Sequence, residues 1–290
     1  MTEHESGNLL AVILDVNPNQ GSFLGQNPQR FTQWMDATLA FLNSHLCLNQ
    51  INEAALISVG ASSCNFLYPT DEAEQLPEAF DGQFEGFRRL EFSVRTRLSH
   101  LVSQELQGPV VRQSLVAGGL CMAMAFINRY IHEREGRKAR ILVLTASGAA
   151  STHYMNYMNA FLTAQRLGVP MDSCVLEKDS GLLQQGCDIT GGRYFRLDKI
   201  DKFLQVLIWL FLPDNAQRSQ LGLPTPANVD YRAACFCHRE LVDVGFVCSV
   251  CLTIFCRFTP ICSTCGTVLR NMVKKSKIGK ASKQNSSQLK

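Results

Sequence analysis

Seven of the twelve cysteines in this 290-residue chain fall between Cys235 and Cys265. Their spacing is Cys235-x-Cys237-His238-x9-Cys248-x2-Cys251-x4-Cys256-x5-Cys262-x2-Cys265. Two C-x-x-C pairs, Cys248/Cys251 and Cys262/Cys265, each present two sulfurs from one tight turn, and the spacer between them is long enough to double back. Four thiolates so placed close a tetrahedron, the geometry zinc prefers. A module of about forty residues buries too little apolar surface to fold unaided. Structural zinc supplies on the order of 10–16 kcal/mol to such peptides, enough to decide their folding. A disulfide knot is the competing pattern, and it needs an oxidising compartment. The chain begins Met-Thr-Glu-His-Glu-Ser, without a charged-then-apolar leader, so the expectation is zinc on Cys248, Cys251, Cys262 and Cys265. Cys235, Cys237, His238 and Cys256 are left open. They raise the donors to eight, but a cross-braced pair of sites uses four pairs and the third pair here is Cys256 alone. The alternative is that these four pack or hydrogen-bond around the first site.

With 46% hydrophobic and 18% charged residues the chain reads as globular rather than disordered. Its length allows one full-size domain beside the small module. No apolar run reaches the ~18–20 residues of a membrane span, so no membrane partner is expected. The net charge of +3 is unevenly distributed. Arg270, Lys274, Lys275, Lys277, Lys280, Lys283 and Lys290 follow the module with no acid among them, leaving the body with more acids than bases. Residues 270–290 therefore read as a basic disordered tail, and DNA contact is expected from nowhere else. Outside the cluster, Cys47, Cys64, Cys121, Cys174 and Cys187 read as reduced core residues.

Leu9 to Val16 (LLAVILDV) is a nearly unbroken apolar run, as a strand buried on both faces of a parallel sheet requires. A polar loop with Asn17, Pro18, Asn19 and Gly21 follows, then a helix from Phe31 whose Trp34, Met35, Leu42 and Leu46 share a face. Ala54–Val59 and Asn65–Tyr68 read as strands joined as a hairpin, and residues 69–86 as an acidic loop. Helices are expected over Phe87–Leu106, ended by Gly108-Pro109, and over Ser114–His132, where Gly118 and Gly119 permit close packing. Arg140–Thr145 is a buried strand. Thr152–Leu167 is a helix capped by Ser151 or Thr152 and stopped by Gly168. Val169–Leu176 is a strand, Ser180–Thr190 a helix closed by Gly191-Gly192, Tyr194–Leu197 a strand, and Asp198 opens a helix to Leu212. Strands alternating with helices define an α/β fold with a mostly parallel sheet covered on both faces. Residues 213–228, with Pro213, Pro224 and Pro226, read as a linker, and 229–269 as the cysteine module.

The stretches LLAVILDVNPN, SLVAGGLCMAMA, RILVLTASG and DITGGRY resemble a von Willebrand factor A domain over residues 7–212. The resemblance implies a Rossmann-type sheet and raises the question of a magnesium ion at the carboxyl ends of the strands. Many such domains hold Mg²⁺ with Asp-x-Ser-x-Ser from the first loop, a Thr from the second and an Asp from the third, oxygens that suit a hard cation. Here the first loop offers Asp15, Asn17 and Asn19, Ser114 stands at the Thr position, and Ala146 stands where the second carboxylate belongs. One carboxylate dehydrates Mg²⁺ poorly, so Mg²⁺ is not expected and Asp15 and Asn17 are expected to satisfy nearby backbone amides. There is no phosphate loop, G-x-S-x-G or H-E-x-x-H. His132 and His153 read as structural, and Glu177 and Asp179 as solvated charges. No enzyme activity and no small-molecule substrate are expected.

DSGLLQQGCDITGGRY (Asp179–Tyr194) and LPTPANVDYRAACFCHRELVDVGFVCSVCLTIFC (Leu223–Cys256) resemble the general transcription factor IIH subunit 3 family, the smaller A-type subunit of the TFIIH core. The resemblance implies a nuclear, non-catalytic subunit acting in RNA polymerase II transcription and nucleotide excision repair. It implies pairing with the larger subunit, which carries its own A-type domain and cysteine-rich modules, and with other core subunits. It carries the family's zinc-finger cysteines onto Cys248, Cys251, Cys262 and Cys265. Two other readings compete: a RING-type ubiquitin ligase component, which needs a second zinc, and a metal-dependent ligand-binding A-type protein.

Overall fold

Strand β1 (Asn8–Asp15) is buried at every residue after Asn8. Its neighbours explain why: it pairs in parallel with β2 (Glu53–Val59) on one side and with β4 (Lys138–Thr145) on the other. Alternate side chains then face opposite layers. Leu10, Val12 and Leu14 enter one apolar cluster, while Leu9, Ala11 and Ile13 enter another. Both faces are covered, so the run cannot afford polar alternation.

The structure is a computed structural model that describes residues 7–17, 27–70, 85–107, 113–134, 136–147, 153–177, 179–222, 229–238 and 240–268. Outside these lie Pro18, Asn19 and Gly21, most of the acidic loop, Gly108-Pro109, the Ser151/Thr152 cap, residues 223–228 and the basic tail. Two compact units are present, Met1–Tyr231 and Arg232–Lys290. In the first, a six-stranded sheet has the order β3-β2-β1-β4-β5-β6, with β3 (Cys64–Tyr68) antiparallel to β2 as the hairpin reading required. Strands β5 (Met171–Leu176) and β6 (Tyr194–Leu197) extend the parallel side.

Helices α1 (Pro28–Leu48) and α2 (Glu85–Gln107) cover the first face, joined by a composite helix α6, which runs from a 3₁₀ turn at Ile200 through Phe203–Val206 into a π-helical stretch ending at Phe211. Helix α1 begins three residues before Phe31 because Asn27 caps it, accepting from the Gln29 N–H, and Pro28 stands in the first turn, where its missing N–H costs nothing. Trp34 stacks on Phe203 with ring centroids 4.2 Å apart, fixing α6 against α1. Helices α3 (Val116–Glu133), α4 (Tyr154–Arg166) and α5 (Gly181–Thr190) cover the second face. Gly119 is required there: a Cβ would stand 2.5 Å from the Val59 side chain and 3.1 Å from Ile13. Ser180 caps α5, and Gly191 ends it in the left-handed conformation that closes such helices. No helix among the described residues is long and apolar enough to cross a membrane.

Two expectations need correction. Cys174 and Cys187 are core residues and Cys64 is half-buried, but Cys47 and Cys121 are exposed, because they sit on the outward faces of α1 and α3. The opening of the 213–228 segment is also structured. Asp214 caps a short helix, α7 (Asn215–Arg218), in a reciprocal capping box with Gln217. Arg218 then reaches under the sheet, its Nη1 and Nη2 donating to the two carboxylate oxygens of Asp172 at 2.9 and 2.6 Å, with side-chain exposures of 4% and 2%. Beside it Arg140 donates to three consecutive carbonyls at the end of α6, those of Phe211 (2.6 Å), Leu212 (2.9 Å) and Pro213 (3.1 Å). These are the unsatisfied acceptors that a helix C-terminus leaves, met here by a cation.

Removing one member of a buried pair strands the other charge. Arg218→Ala is expected to destabilise the large unit by roughly 3–5 kcal/mol, read from urea unfolding. Arg218→Lys restores only part of that, because a point charge does not replace a two-pronged fork. A loss below about 1 kcal/mol, the range of an exposed pair, contradicts this role.

Candidate metal centre

In the second unit the backbone does little: two antiparallel ladders of two residues each, β7 (Ala233–Ala234) with β8 (Leu241–Val242) and β9 (Phe246–Val247) with β10 (Ile254–Phe255), and one bridge between Ile261 and Val268. The buried apolar cluster is Cys248, Phe255 and Cys262, with Cys251 against it. A core of three sulfurs and one phenyl ring cannot offset the ordering of some thirty residues.

The sulfurs are gathered instead. Cys248, Cys251, Cys262 and Cys265 have their Sγ atoms all within 4.8 Å of one another. Cys248 lies 3.7 Å from Cys265, and Cys251 lies 3.5 Å from Cys262. A disulfide needs about 2.05 Å. A tetrahedron with metal–sulfur bonds of about 2.3 Å has edges of ~3.8 Å, close to these separations. Each C-x-x-C turn is built alike. The Cys248 N–H donates to the Thr253 carbonyl (2.9 Å) and the Cys262 N–H to the Thr267 carbonyl (2.8 Å), so each cysteine closes its own loop. The residue after each pair takes a left-handed backbone, Leu252 (φ 59°) in one turn and Gly266 (φ 71°) in the other. Hydroxyls of Thr253 and Thr267 lie 3.0 and 3.1 Å from the sulfurs of Cys251 and Cys265. Hydrogen bonding with the side chain and backbone of Thr267 lowers the Cys265 thiol to about 6. The donor set and its spacing fit a tetrahedral thiolate-binding metal.

A second group also converges: Cys235, Cys237, His238 and Cys256, with ligand atoms within 4.8 Å of one another.

The loop end of the sheet is different. Asp15 is buried, and its Oδ2 accepts from the hydroxyls of Thr145 (2.7 Å) and Ser147 (2.5 Å), while Oδ1 accepts from the Asn17 N–H at 3.3 Å. Ser114, at the expected Thr position, also hydrogen-bonds this carboxylate. Burial raises the Asp15 pKa, with the three hydroxyls and the Asn17 amide pulling it back. The described hydroxyls and the Asn17 amide are thus all directed at the Asp15 carboxylate. Ala146 is buried beside them and supplies no ligand. Asn19 lies outside the described residues.

Several consequential residues carry no local signal. His45 is buried on α1 with Nε2 3.2 Å from the Asn8 carbonyl oxygen; burial first, then the Arg140 charge, lowers its pKa to about 4, so it is neutral at pH 7. Asp179, read as a solvated charge, accepts from the Tyr194 hydroxyl (2.8 Å) and Arg196 (3.0 Å). His132 is exposed at the end of α3.

The strand order and the single antiparallel edge define a von Willebrand A-like fold, and the cysteine module gathers donors that could hold a metal. The family model described as transcription factor Tfb4 matches residues 7–266. A relative from Arabidopsis thaliana, general transcription and DNA repair factor IIH subunit TFB4, is 37% identical over 276 residues, covering 90% of this chain and 88% of its own length. The subunit tfb4 of the same factor from Schizosaccharomyces pombe is 34% identical over 269 residues, covering 91% and 89%. The crystal structure of the TFIIH p34 N-terminal domain superposes with a TM-score of 0.59 at 23% identity, covering 71% of this chain and 98% of that domain, a likeness of fold. This chain belongs to the transcription factor Tfb4 family.

The occupied carboxylate makes a prediction of its own. Asp15→Ala leaves the Thr145 and Ser147 hydroxyls without their acceptor and is expected to cost about 1–3 kcal/mol in thermal unfolding. Millimolar Mg²⁺ is expected to leave the unfolding temperature of both proteins unchanged. A rise with Mg²⁺ in the wild type that Asp15→Ala abolishes contradicts the internal role.

Proposed function

We propose that this chain is a non-catalytic assembly subunit of the TFIIH core, acting in the nucleus in RNA polymerase II transcription initiation and nucleotide excision repair. The observation that carries this is family membership across nearly the whole chain, with relatives named as TFIIH subunits matched over most of their own length. Its partner by this reading is the larger A-type subunit with cysteine-rich modules, the pairing that the sequence resemblance implies. Cys248, Cys251, Cys262 and Cys265 hold a structural zinc. That metal, once bound, supplies the cross-link the module's small core cannot. The large unit supports a scaffold role: the buried Asp15 carboxylate at the loop end is internally bonded, and burial pushes the Cys174 thiol up to about 12, an inert core residue.

The module's surface suits a protein partner. Val244, Val250, Leu252 and Ile261 are more than half exposed, apolar side chains of the kind interfaces bury. Leu252 is the sharpest case. It is 71% exposed and holds a left-handed backbone that Gly266 adopts freely in the matching turn. A leucine there costs roughly 1–2 kcal/mol. We read it as a contact residue. The ligase and metal-dependent receptor readings have no comparable support and are not proposed.

Co-expression of the full chain with the larger TFIIH A-type subunit is expected to give a stable pair on size exclusion; two separate peaks overturn the assembly reading. Leu252→Gly is expected to keep the metal and weaken that pair about tenfold, a hot-spot-sized loss. Unchanged affinity removes Leu252 from the interface. Cys251→Ser is expected to release the zinc and abolish hydrogen-exchange protection over the described module while the sheet stays protected. Loss of protection in both units contradicts their independence.

A further inference from the structure

We propose that Cys235, Cys237, His238 and Cys256 form a second zinc site, so that two metal ions brace the module through alternating segments of the chain. This goes beyond the assembly reading and does not depend on it.

The turn at Cys235 repeats the construction of the other two. Its N–H donates to the Glu240 carbonyl, five residues on, at 2.8 Å, the same step made by Cys248 and Cys262. Cys235 is 1% exposed, matching Cys248 and Cys262, so each turn buries its first donor. The donor three residues later is His238, where the other turns carry Cys251 and Cys265; Cys235-x-x-His238 is a knuckle with imidazole for thiolate. The remaining donor arrives from the β9–β10 ladder. The Phe236 N–H donates to the Ile254 carbonyl at 2.8 Å, which holds the end of β10 against the turn and presents Cys256. The Cys256 sulfur then lies 3.3 Å from that of Cys237 and 3.2 Å from Nδ1 of His238, and Nδ1 lies 4.0 Å from the Cys235 sulfur. A sulfur pair at 3.3 Å is far too long for a cystine, and the separations are those of neighbouring corners around one ion. Three thiolates and one imidazole nitrogen select zinc among common divalent ions.

The chain order gives the pair its consequence. Cys235, Cys237 and His238 come first, then Cys248 and Cys251 of the other group, then Cys256, then Cys262 and Cys265. Each group spans a ligand segment of the other, so neither ion closes a loop that is independent of its neighbour.

The test is a metal count on the full chain, prepared and kept under reducing conditions. Two zinc ions per chain are expected by elemental analysis. Cobalt(II) titration of the metal-free protein is expected to build sulfur-to-metal charge-transfer absorption through two equivalents. Cys256→Ser is expected to lower the count to one, and His238→Cys to keep it at two. One zinc per chain in the wild type, with the same count in Cys256→Ser, overturns the proposal. So does a Cys237–Cys256 cross-linked peptide found by mass spectrometry after alkylation. If Cys256→Ser does not fold, the wild-type cobalt endpoint decides between one and two. Because no partner is present, a failure here is separate from a failure of the assembly reading.

Discussion

The large unit depends on the double-sided burial of β1. Parallel strands on both flanks leave it no edge, and the pleat sends Leu10, Val12 and Leu14 one way and Leu9, Ala11 and Ile13 the other. Fully burying each large apolar side chain is worth about 1.5–3 kcal/mol, so this one strand commits both helical layers to the same sheet. The close approach at Gly119 seats one layer against Ile13 and Val59, and the Trp34–Phe203 stack locks two helices of the other layer together.

At the opposite scale, the cysteine unit has no such strand to lean on. Its ladders are two residues long and its core is Phe255 among sulfurs. The repeated backbone closure at Cys235, Cys248 and Cys262 places donors without a sheet or helix to carry them. The large unit meets the cost of ordering by buried area, while the small one gathers sulfur and imidazole donors where that area is lacking.

Much of this was legible in the chain. Apolar runs marked β1 and β4, the Gly191 closure marked the end of α5, and Tyr194–Leu197 was read with its observed limits, since these signals are local. The paired cysteines were legible for the same reason. What escaped depends on distance. Helix α7 is four residues long, too short for a periodic pattern, and its proline-flanked context suggested a linker. Arg218 meets Asp172 across 46 positions, and nothing near either residue announces the other. Cys256 meets His238 across 18 positions, without a second cysteine at pair spacing to mark it. The equal three-residue step in Cys235-x-x-His238 was the available clue.

The carboxylate of Asp15 is held by hydroxyl groups from its own chain. That side-chain tie joins the carboxyl ends of β1 and β4, neighbours in the sheet, just where the backbone ladder between them runs out. The loop end of the sheet is pinned there by the chain's own oxygens, so its geometry is set by folding alone.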